Sequence, residues 1–197
     1  MNYLAHAYLS FGKPEILAGN IFSDFIKGKH RFGFPEHIQT GIVLHRAIDE
    51  YTDMHEVTAV AKQFFKPVYG LYAAPFIDIA YDHFLATDKN IFAEDELKAF
   101  ADTTYRVLQQ FEAVFPPRFG EVFRYMQLHN WLYNYQFKEG IFRSFGGLVH
   151  RAKYMNDVKP ACEILINNYD ALKECYEAFF PQLKAFAWKK LNELEKG

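Results

Sequence analysis

The chain has very little cysteine. Cys162 and Cys175 are the two cysteines among its 197 residues, and neither belongs to a CxxC pair or to a group of zinc ligands. The pattern predicts free thiols in a reducing compartment and argues against a disulfide or zinc framework. Neither thiol has an evident activating base nearby in the sequence, so a cysteine nucleophile is not favoured.

Signals for membranes and nucleic acids are also missing. No apolar run approaches the length of a membrane span, and the first residues, MNYLAHAYLSFGKPE, lack the positive region of a signal peptide. A net charge of −2 does not favour nucleic acid as a partner. We therefore expect a soluble, cytoplasmic protein that binds neither membrane nor nucleic acid.

Strand signals are weak, whereas helical periodicity is common. The sequence has no Asn-Gly or Asp-Gly hairpin turn, but it is 50% hydrophobic and contains 21 Phe and 13 Tyr, which is enough apolar surface for a large core. The spacing predicts one compact all-α domain over residues 1–197, with roughly seven to nine helices. We expect helices near residues 2–10, 14–28, 37–53, 57–66 (stopped before Pro67), 76–86, 94–113, 119–135 and 138–152, and a last helical segment from about 157 in which Pro181 marks a kink or restart.

Two of these helical segments combine acidic and imidazole side chains with many apolar ones. GIVLHRAIDEYTD covers residues 41–53 and FIDIAYDHFL covers 76–85. The first carries His45, Asp49 and Asp53, and the second carries Asp78, Asp82 and His83. Side chains four residues apart share one helical face, so these rows indicate a metal site, although solvated stripes of ordinary ion pairs would look the same.

Two further residues could join such a site. Asp24 lies four residues after Asn20 in GNIFSDFIKG, on the boundary between an apolar and a polar face, and His6 lies between two alanines. An exposed or helix-capping Asp24 and a hydrogen-bonded core His6 are the simpler alternatives. A hard divalent ion accepts carboxylate and imidazole ligands and can activate water and neutralise a phosphoryl oxygen. Phosphoester hydrolysis is therefore the chemistry that the pattern favours, because GxSxG, P-loop and HExxH motifs do not occur.

A short basic run follows Asp24 directly. It comprises Lys27, Lys29, His30 and Arg31, and Arg46 lies beside His45 on the next predicted helix. Such a patch could receive a phosphate or an acidic protein, or it could be a solvated loop.

Several of these segments, taken in order, resemble one known family. MNYLAH at 1–6, GNIFSDFIKG at 19–28, GIVLHRAIDEYTD at 41–53 and DIAYDHFLA at 78–86 are similar to the acyl carrier protein phosphodiesterase family. Weaker similarity continues through NWLYNY at 130–135, GGLVHR at 146–151 and NYDALKECYEAFFPQL at 168–183. The resemblance implies a helical fold related distantly to the HD phosphohydrolases.

The resemblance also implies an activity, a metal and a partner. The activity is hydrolysis of the phosphodiester that joins 4′-phosphopantetheine to a serine of holo acyl carrier protein, with Mn²⁺ as the expected metal and Mg²⁺ or Fe²⁺ as alternatives. On this hypothesis the candidate metal ligands are Asp24, Asp82, His45, His83, His6 and Asp49; the candidate catalytic residues are Asp24, His45, Arg46 and His83; and the candidate carrier-protein contacts are Lys27, Lys29 and Arg31.

Structural roles, or roles that support the metal ligands, are expected for the remaining acids, Asp53 and Asp78, and the sequence is compatible with either acting as a ligand, a salt-bridge partner or a helix cap. Two other functions are compatible with the residues: a metal phosphohydrolase for a nucleotide or other small phosphoester, and a non-catalytic helical module that binds an acidic partner.

Overall fold

Helices make up most of the computed structural model, which describes residues 1–152 and 157–196. No strand occurs in these two ranges, so the predicted all-α class is confirmed. The α-helices are Tyr3–Tyr8 (α1), Pro14–Phe22 (α2), Glu36–Met54 (α3), Glu56–Tyr69 (α4), Ala73–Thr87 (α5), Glu96–Gln109 (α6), Pro117–Leu128 (α7), Trp131–Asn134 (α8), Lys138–Arg151 (α9), Lys159–Asn167 (α10) and Tyr169–Leu194 (α11).

Two helix breaks raise the number of helices above the seven to nine predicted. The segment predicted at 119–135 is interrupted after Leu128, where Asn130 has a left-handed backbone with φ of 42°. The last segment breaks at Asn168 between α10 and α11. Asparagine tolerates the left-handed backbone of residue 130 better than most residues, whereas Asn168 has a φ of −121°. The position of either asparagine in the sequence does not distinguish a break from a helical residue.

The stop predicted before Pro67 is wrong. Helix α4 continues through Pro67 to Tyr69 and ends at Gly70, whose φ of 54° suits a residue without a Cβ. Proline removes one backbone hydrogen bond, but here it lies in the last turn of the helix. The helix predicted at 14–28 is also shorter, because it ends at Phe22 and continues as a 3-10 turn at Ser23–Phe25.

Helices α2 and α3 form the most extensive helix pair in the described ranges. They meet at two glycines. A Cβ at Gly19 would overlap the carbonyl oxygen of Ile38, and a Cβ at Gly41 would overlap that of Ile16. The pair can therefore approach this closely because both contact positions lack a side chain, and the approach brings Asn20 next to His45.

The buried apolar side chains form a continuous core behind this helix pair. Helix α5 is buried on most sides, and α11 packs against α3, α4 and α5. Aromatic rings fill much of the space, as where Phe179 of α11 stacks on Tyr81 of α5 with ring centroids 5.3 Å apart. Across residues 1–152 and 157–196, no helix is both long enough and apolar enough to cross a membrane.

Candidate metal and active site

Three residues from two helices place ligand atoms together next to Asn20 of α2. They are His6 of α1 and His45 and Asp49 of α3, and one ligand atom from each lies within 4.8 Å of the other two. Asp49 joins the two imidazoles: its Oδ1 is 3.1 Å from His6 Nε2, and its Oδ2 is 3.0 Å from His45 Nε2. The two imidazole rings stack with centroids 4.0 Å apart.

Asn20 of α2 holds both imidazoles from behind. His45 Nδ1 donates to the backbone carbonyl of Asn20 at 2.7 Å, and His6 Nδ1 donates to its side-chain Oδ1 at 2.8 Å. The Asn20 amide is itself oriented, because its Nδ2 donates to the carbonyl of His6 and to Ser10 Oγ. Each Nδ1 therefore carries a proton, and each Nε2 is turned towards the carboxylates, where it can hold a second proton or, once deprotonated, offer its lone pair to a cation.

Asp24 completes the group on its solvent side. It lies in the 3-10 turn after α2, its side chain is 73% exposed, and its Oδ1 is 3.1 Å from His45 Nε2. One imidazole nitrogen thus faces two carboxylates, Asp24 and Asp49, at about hydrogen-bond distance.

The charges of the group are strongly coupled. Burial disfavours the charged form of His45, but its hydrogen bonds to Asp24 and Asp49 prevail and raise its pKa to about 9. Burial, and then the positive charge of His45, lower the pKa of His6 to about 4. Burial opposes ionisation of Asp49, yet the two imidazoles hold its pKa below the usual range, and the hydrogen bond from His45 does the same for Asp24.

This donor set fits a divalent cation. Two imidazole nitrogens and the Asp49 carboxylate lie within 4.8 Å of one another, and the Asp24 carboxylate is 3.1 Å from His45 Nε2. Unprotonated imidazole nitrogens and carboxylates repel one another unless a proton or a cation lies between them. The Nδ1–H bonds to Asn20 fix each ring in the tautomer that leaves Nε2 free for a metal. Imidazole together with carboxylate suits Mn²⁺, Fe²⁺ and related ions, with water filling the remaining positions.

The structure does not bring Asp82 and His83 into this group. Asp82 is fully buried on α5, where its two oxygens accept the backbone N–H groups of Leu4 at 2.7 Å and Ala5 at 3.2 Å. It therefore caps the first turn of α1, and burial raises its pKa to about 7. The backbone of α1, which carries His6, is fixed by this contact.

His83 points to the other side of α5. Its Nδ1 donates to the carbonyl of Tyr135 at 2.7 Å, and its Nε2 accepts from the hydroxyl of Tyr169 at 2.8 Å. Burial lowers its pKa. With both nitrogens bonded, His83 serves as a neutral core hydrogen-bonding residue.

The two remaining acids have ion-pair partners. Asp53 is exposed and lies 2.7 Å from Lys62 Nζ, and Asp78 lies 3.1 Å from the amino group of Met1. That amino group is also 3.4 Å from Asp49 Oδ1. The charged amino group therefore links Asp78 to the metal group, which comprises His6, His45, Asp49 and Asp24.

The predicted basic surface lies next to Asp24. Lys27 and Lys29 are exposed, Arg31 is half-buried, and its guanidinium covers the ring of exposed Phe32 at 4.8 Å. Most of this segment, predicted as a loop, forms a 3-10 helix at Gly28–Gly33. Arg46 donates to the carbonyl of Ile26 at 3.3 Å and so ties the segment after Asp24 to α3.

Asn20 is the residue that the sequence analysis did not assign to the site. The four-residue step from Asn20 to Asp24 indicated that the two share a helical face. It did not indicate that Asn20 orients two imidazoles, because those contacts form only when α1, α2 and α3 pack together.

Comparison with known proteins agrees with the resemblance found in the sequence. The family model described as "Acyl carrier protein phosphodiesterase" matches residues 1–183. Proteins of that name from Salmonella paratyphi A, Enterobacter sp. (strain 638) and Klebsiella pneumoniae are each 29% identical over 191 residues, which covers 96% of this chain and 99% of each relative. No solved structure matches the chain significantly.

Proposed function

The chain belongs to the acyl carrier protein phosphodiesterase family, and we propose that it hydrolyses the phosphodiester between 4′-phosphopantetheine and a serine of holo acyl carrier protein. The products are apo carrier protein and 4′-phosphopantetheine. The observation that carries the proposal is the grouping of His6, His45 and Asp49, with Asp24 hydrogen-bonded to His45 and followed in the chain by an exposed basic segment. A cation site and a positive docking surface both suit a phosphodiester that is carried by an acidic protein.

We propose that His6, His45, Asp49 and Asp24 hold a divalent ion, Mn²⁺ first, with Mg²⁺ or Fe²⁺ as alternatives. When bound, the ion would polarise a phosphoryl oxygen and make water a better nucleophile near neutral pH. Asn20 keeps the two imidazoles in the ligand tautomer. Asp82 and His83 are not included because their side chains bond elsewhere in the fold.

The reaction adds one water to phosphorus and breaks the bond between phosphorus and the serine oxygen. The serine oxygen takes a proton, and the phosphate leaves on the pantetheine arm. The exposed carboxylate of Asp24 can accept a hydrogen bond from the attacking water and orient it, since its low pKa keeps it ionised. The free part of the Arg46 guanidinium can contact a phosphoryl oxygen.

The basic segment Lys27–Arg31 is proposed as the docking surface for the carrier protein. Lys27 and Lys29 project into solvent within five residues of Asp24, so an acidic protein bound there would place its prosthetic group near the metal group. Rim charges of this kind mainly raise the association rate and make it salt-dependent.

The test is release of 4′-phosphopantetheine from holo carrier protein with Mn²⁺, followed as the mass change from holo to apo protein. Asp24→Asn should lower kcat/KM by more than about 100-fold, because it removes a charged ligand at the open side of the group. The matched control is Asp53→Asn on α3, whose carboxylate pairs with Lys62; it should keep the wild-type rate.

A fully active Asp24→Asn protein would refute this site. Faster turnover of a nucleotide panel than of holo carrier protein by the wild type would instead replace the proposed substrate with a small phosphoester. A protein that binds no metal and hydrolyses neither would be a non-catalytic module.

A further inference from the structure

A cavity of about 230 Å³ lies where the start of α1 meets α8 and α9. Asn2 lines it, and the amino group of the preceding residue, Met1, is 3.4 Å from Asp49 Oδ1 of the metal group. Tyr3 lines it, and Tyr3 lies one helical turn before His6 on α1. Trp131 and Asn134 of α8 and Gly147 and Arg151 of α9 form other parts of its wall. The cavity is therefore lined by the helix that supplies a metal ligand and by α8 and α9.

Aromatic rings and amide groups form much of its wall, and Arg143 and Arg151 add positive charge. The described lining residues include no acidic side chain. The rings of Tyr3 and Trp131 lie 6.1 Å apart between centroids, and Asn2 and Asn134 contribute amides. Such a lining suits a neutral chain with its own amide groups, which needs apolar contact and a few hydrogen bonds. The volume is below the roughly 300–1,000 Å³ of pockets that enclose drug-sized ligands, so the cavity suits one part of a ligand whose remainder lies outside it.

The Tyr3 hydroxyl is influenced by a negative charge, Asp24, and by a positive charge, Arg151. Burial raises its pKa to about 12, the negative charge of Asp24 adds to this, and the positive charge of Arg151 opposes it. The hydroxyl therefore lies within the electrostatic fields of a metal-group carboxylate and of a cavity arginine. A ligand with its phosphate at the metal group that extends past Tyr3 would meet the positive charge of Arg151 along its arm.

We propose that this cavity binds the pantetheine arm of the substrate, with the phosphate at the metal group and the amide chain against Tyr3, Trp131 and Arg151. The inference rests on the proposed function and adds to it the part of the chain that recognises the prosthetic group. It also gives a role to the segments NWLYNY and GGLVHR, which supply five of the cavity residues: Trp131, Asn134, Tyr135, Gly147 and Arg151.

Two adjacent glycines of α9 allow a matched test. Gly147 lines the cavity, and a Cβ there would make only an ordinary contact, 3.8 Å from Arg151 Nη1. Gly146 does not line it, and a Cβ there would meet nothing within 4 Å. Gly147→Leu therefore fills the cavity, whereas Gly146→Leu makes the same chemical change outside it.

The measurement is the Kd of 4′-phosphopantetheine for the Mn²⁺-loaded protein by calorimetry, with inorganic phosphate as a second probe. Gly147→Leu should raise the Kd of 4′-phosphopantetheine roughly tenfold or more, since the arm must compete with the added side chain. The Kd of inorganic phosphate should change less than about twofold, because phosphate needs only the metal group. Gly146→Leu should match the wild type for both probes.

Trp131→Ala gives an independent second variant, with Trp188→Ala on α11 as its control, in case Gly147→Leu does not fold by circular dichroism. Equal 4′-phosphopantetheine binding in Gly147→Leu and Gly146→Leu, or in Trp131→Ala and Trp188→Ala, would refute the cavity assignment. Failure of the proposed function looks different: the wild type would then release no 4′-phosphopantetheine from holo carrier protein, whatever its affinity for the free arm.

Discussion

At the scale of single residues, the candidate site depends on which nitrogen of each imidazole is occupied. Asn20 accepts hydrogen bonds from both Nδ1–H groups, from His6 with its side-chain oxygen and from His45 with its backbone carbonyl. Both Nε2 atoms then face Asp49. In the metal-free protein a proton on His45 holds this arrangement together, and a metal ion has to displace it.

Metal affinity should therefore depend on pH through one proton. Since the pKa of His45 is raised to about 9 while that of His6 is lowered to about 4, only His45 is protonated near neutral pH. The apparent affinity for Mn²⁺ should rise about tenfold per pH unit from pH 6.5 to 8.5 and level off above pH 9. Calorimetry in buffers of different ionisation enthalpy measures the proton count; release of two protons, or of none, would contradict the assignment.

Asn20→Ala should weaken both the fold and the metal group. It leaves His6 Nδ1 without its buried partner and removes the contacts to His6 and Ser10. We expect a loss of about 1–3 kcal/mol in the free energy of unfolding and a fall of about 10–100-fold in metal affinity. Urea unfolding and metal titration test this, with exposed Asn90→Ala as the control, for which a change within about 0.5 kcal/mol is expected.

At the scale of helices, the spacing in the sequence predicted α3 well and α5 only in part. The four-residue step from His45 to Asp49 predicted that both side chains lie on one face of α3. In the structure they do, and they contact each other within the metal group. Asp82 and His83 are neighbours on α5 and so point in different directions. Asp82 contacts α1 and His83 contacts the segment after α8. Periodicity gives the face of a helix, but not which helix will cover it.

The glycine contact between α2 and α3 sets the distance from Asn20 to His45. Gly41→Ala should force the helices apart, because its Cβ would overlap backbone of α2. We expect a loss of about 1–3 kcal/mol in stability together with weaker metal uptake. Gly120→Ala on α7 is the matched control, since a Cβ there meets nothing within 4 Å; it should leave stability unchanged or raise it by up to about 1 kcal/mol. Equal behaviour of the two variants in thermal melts would show that the close approach is not needed.

At the scale of the whole molecule, the metal group joins α1, α3 and the turn after α2, and the buried side chains of these segments belong to one continuous core. The all-α class was predictable because the sequence has so many apolar residues at helical spacing and so few strand signals. The exact assembly was not, because it depends on tertiary contacts such as the Asp82 bonds to Leu4 and Ala5, which no local pattern contains.

Binding of Mn²⁺ should stabilise the entire fold. At a free concentration 100 times the Kd, a ligand that binds only the folded state adds about 2.7 kcal/mol, which corresponds to a rise of about 5–10 °C in Tm for a domain of this size. Differential scanning calorimetry with Mn²⁺ or EDTA measures it. The shift should vanish in the double variant His6→Ala and His45→Ala, and an undiminished shift there would place the ion elsewhere.

The pairing of α2 with α3 also bears on the order in which the chain folds. The proposed ligands all lie between residues 6 and 49, on consecutive segments, whereas the supporting helix α11 begins at Tyr169. Contacts between segments close in sequence need little loop-closure entropy and form early. The segment of residues 6–49 can thus be ordered in the folding transition state before α11 packs against it. An ion held there would act as a template, so it would accelerate folding more than it slows unfolding.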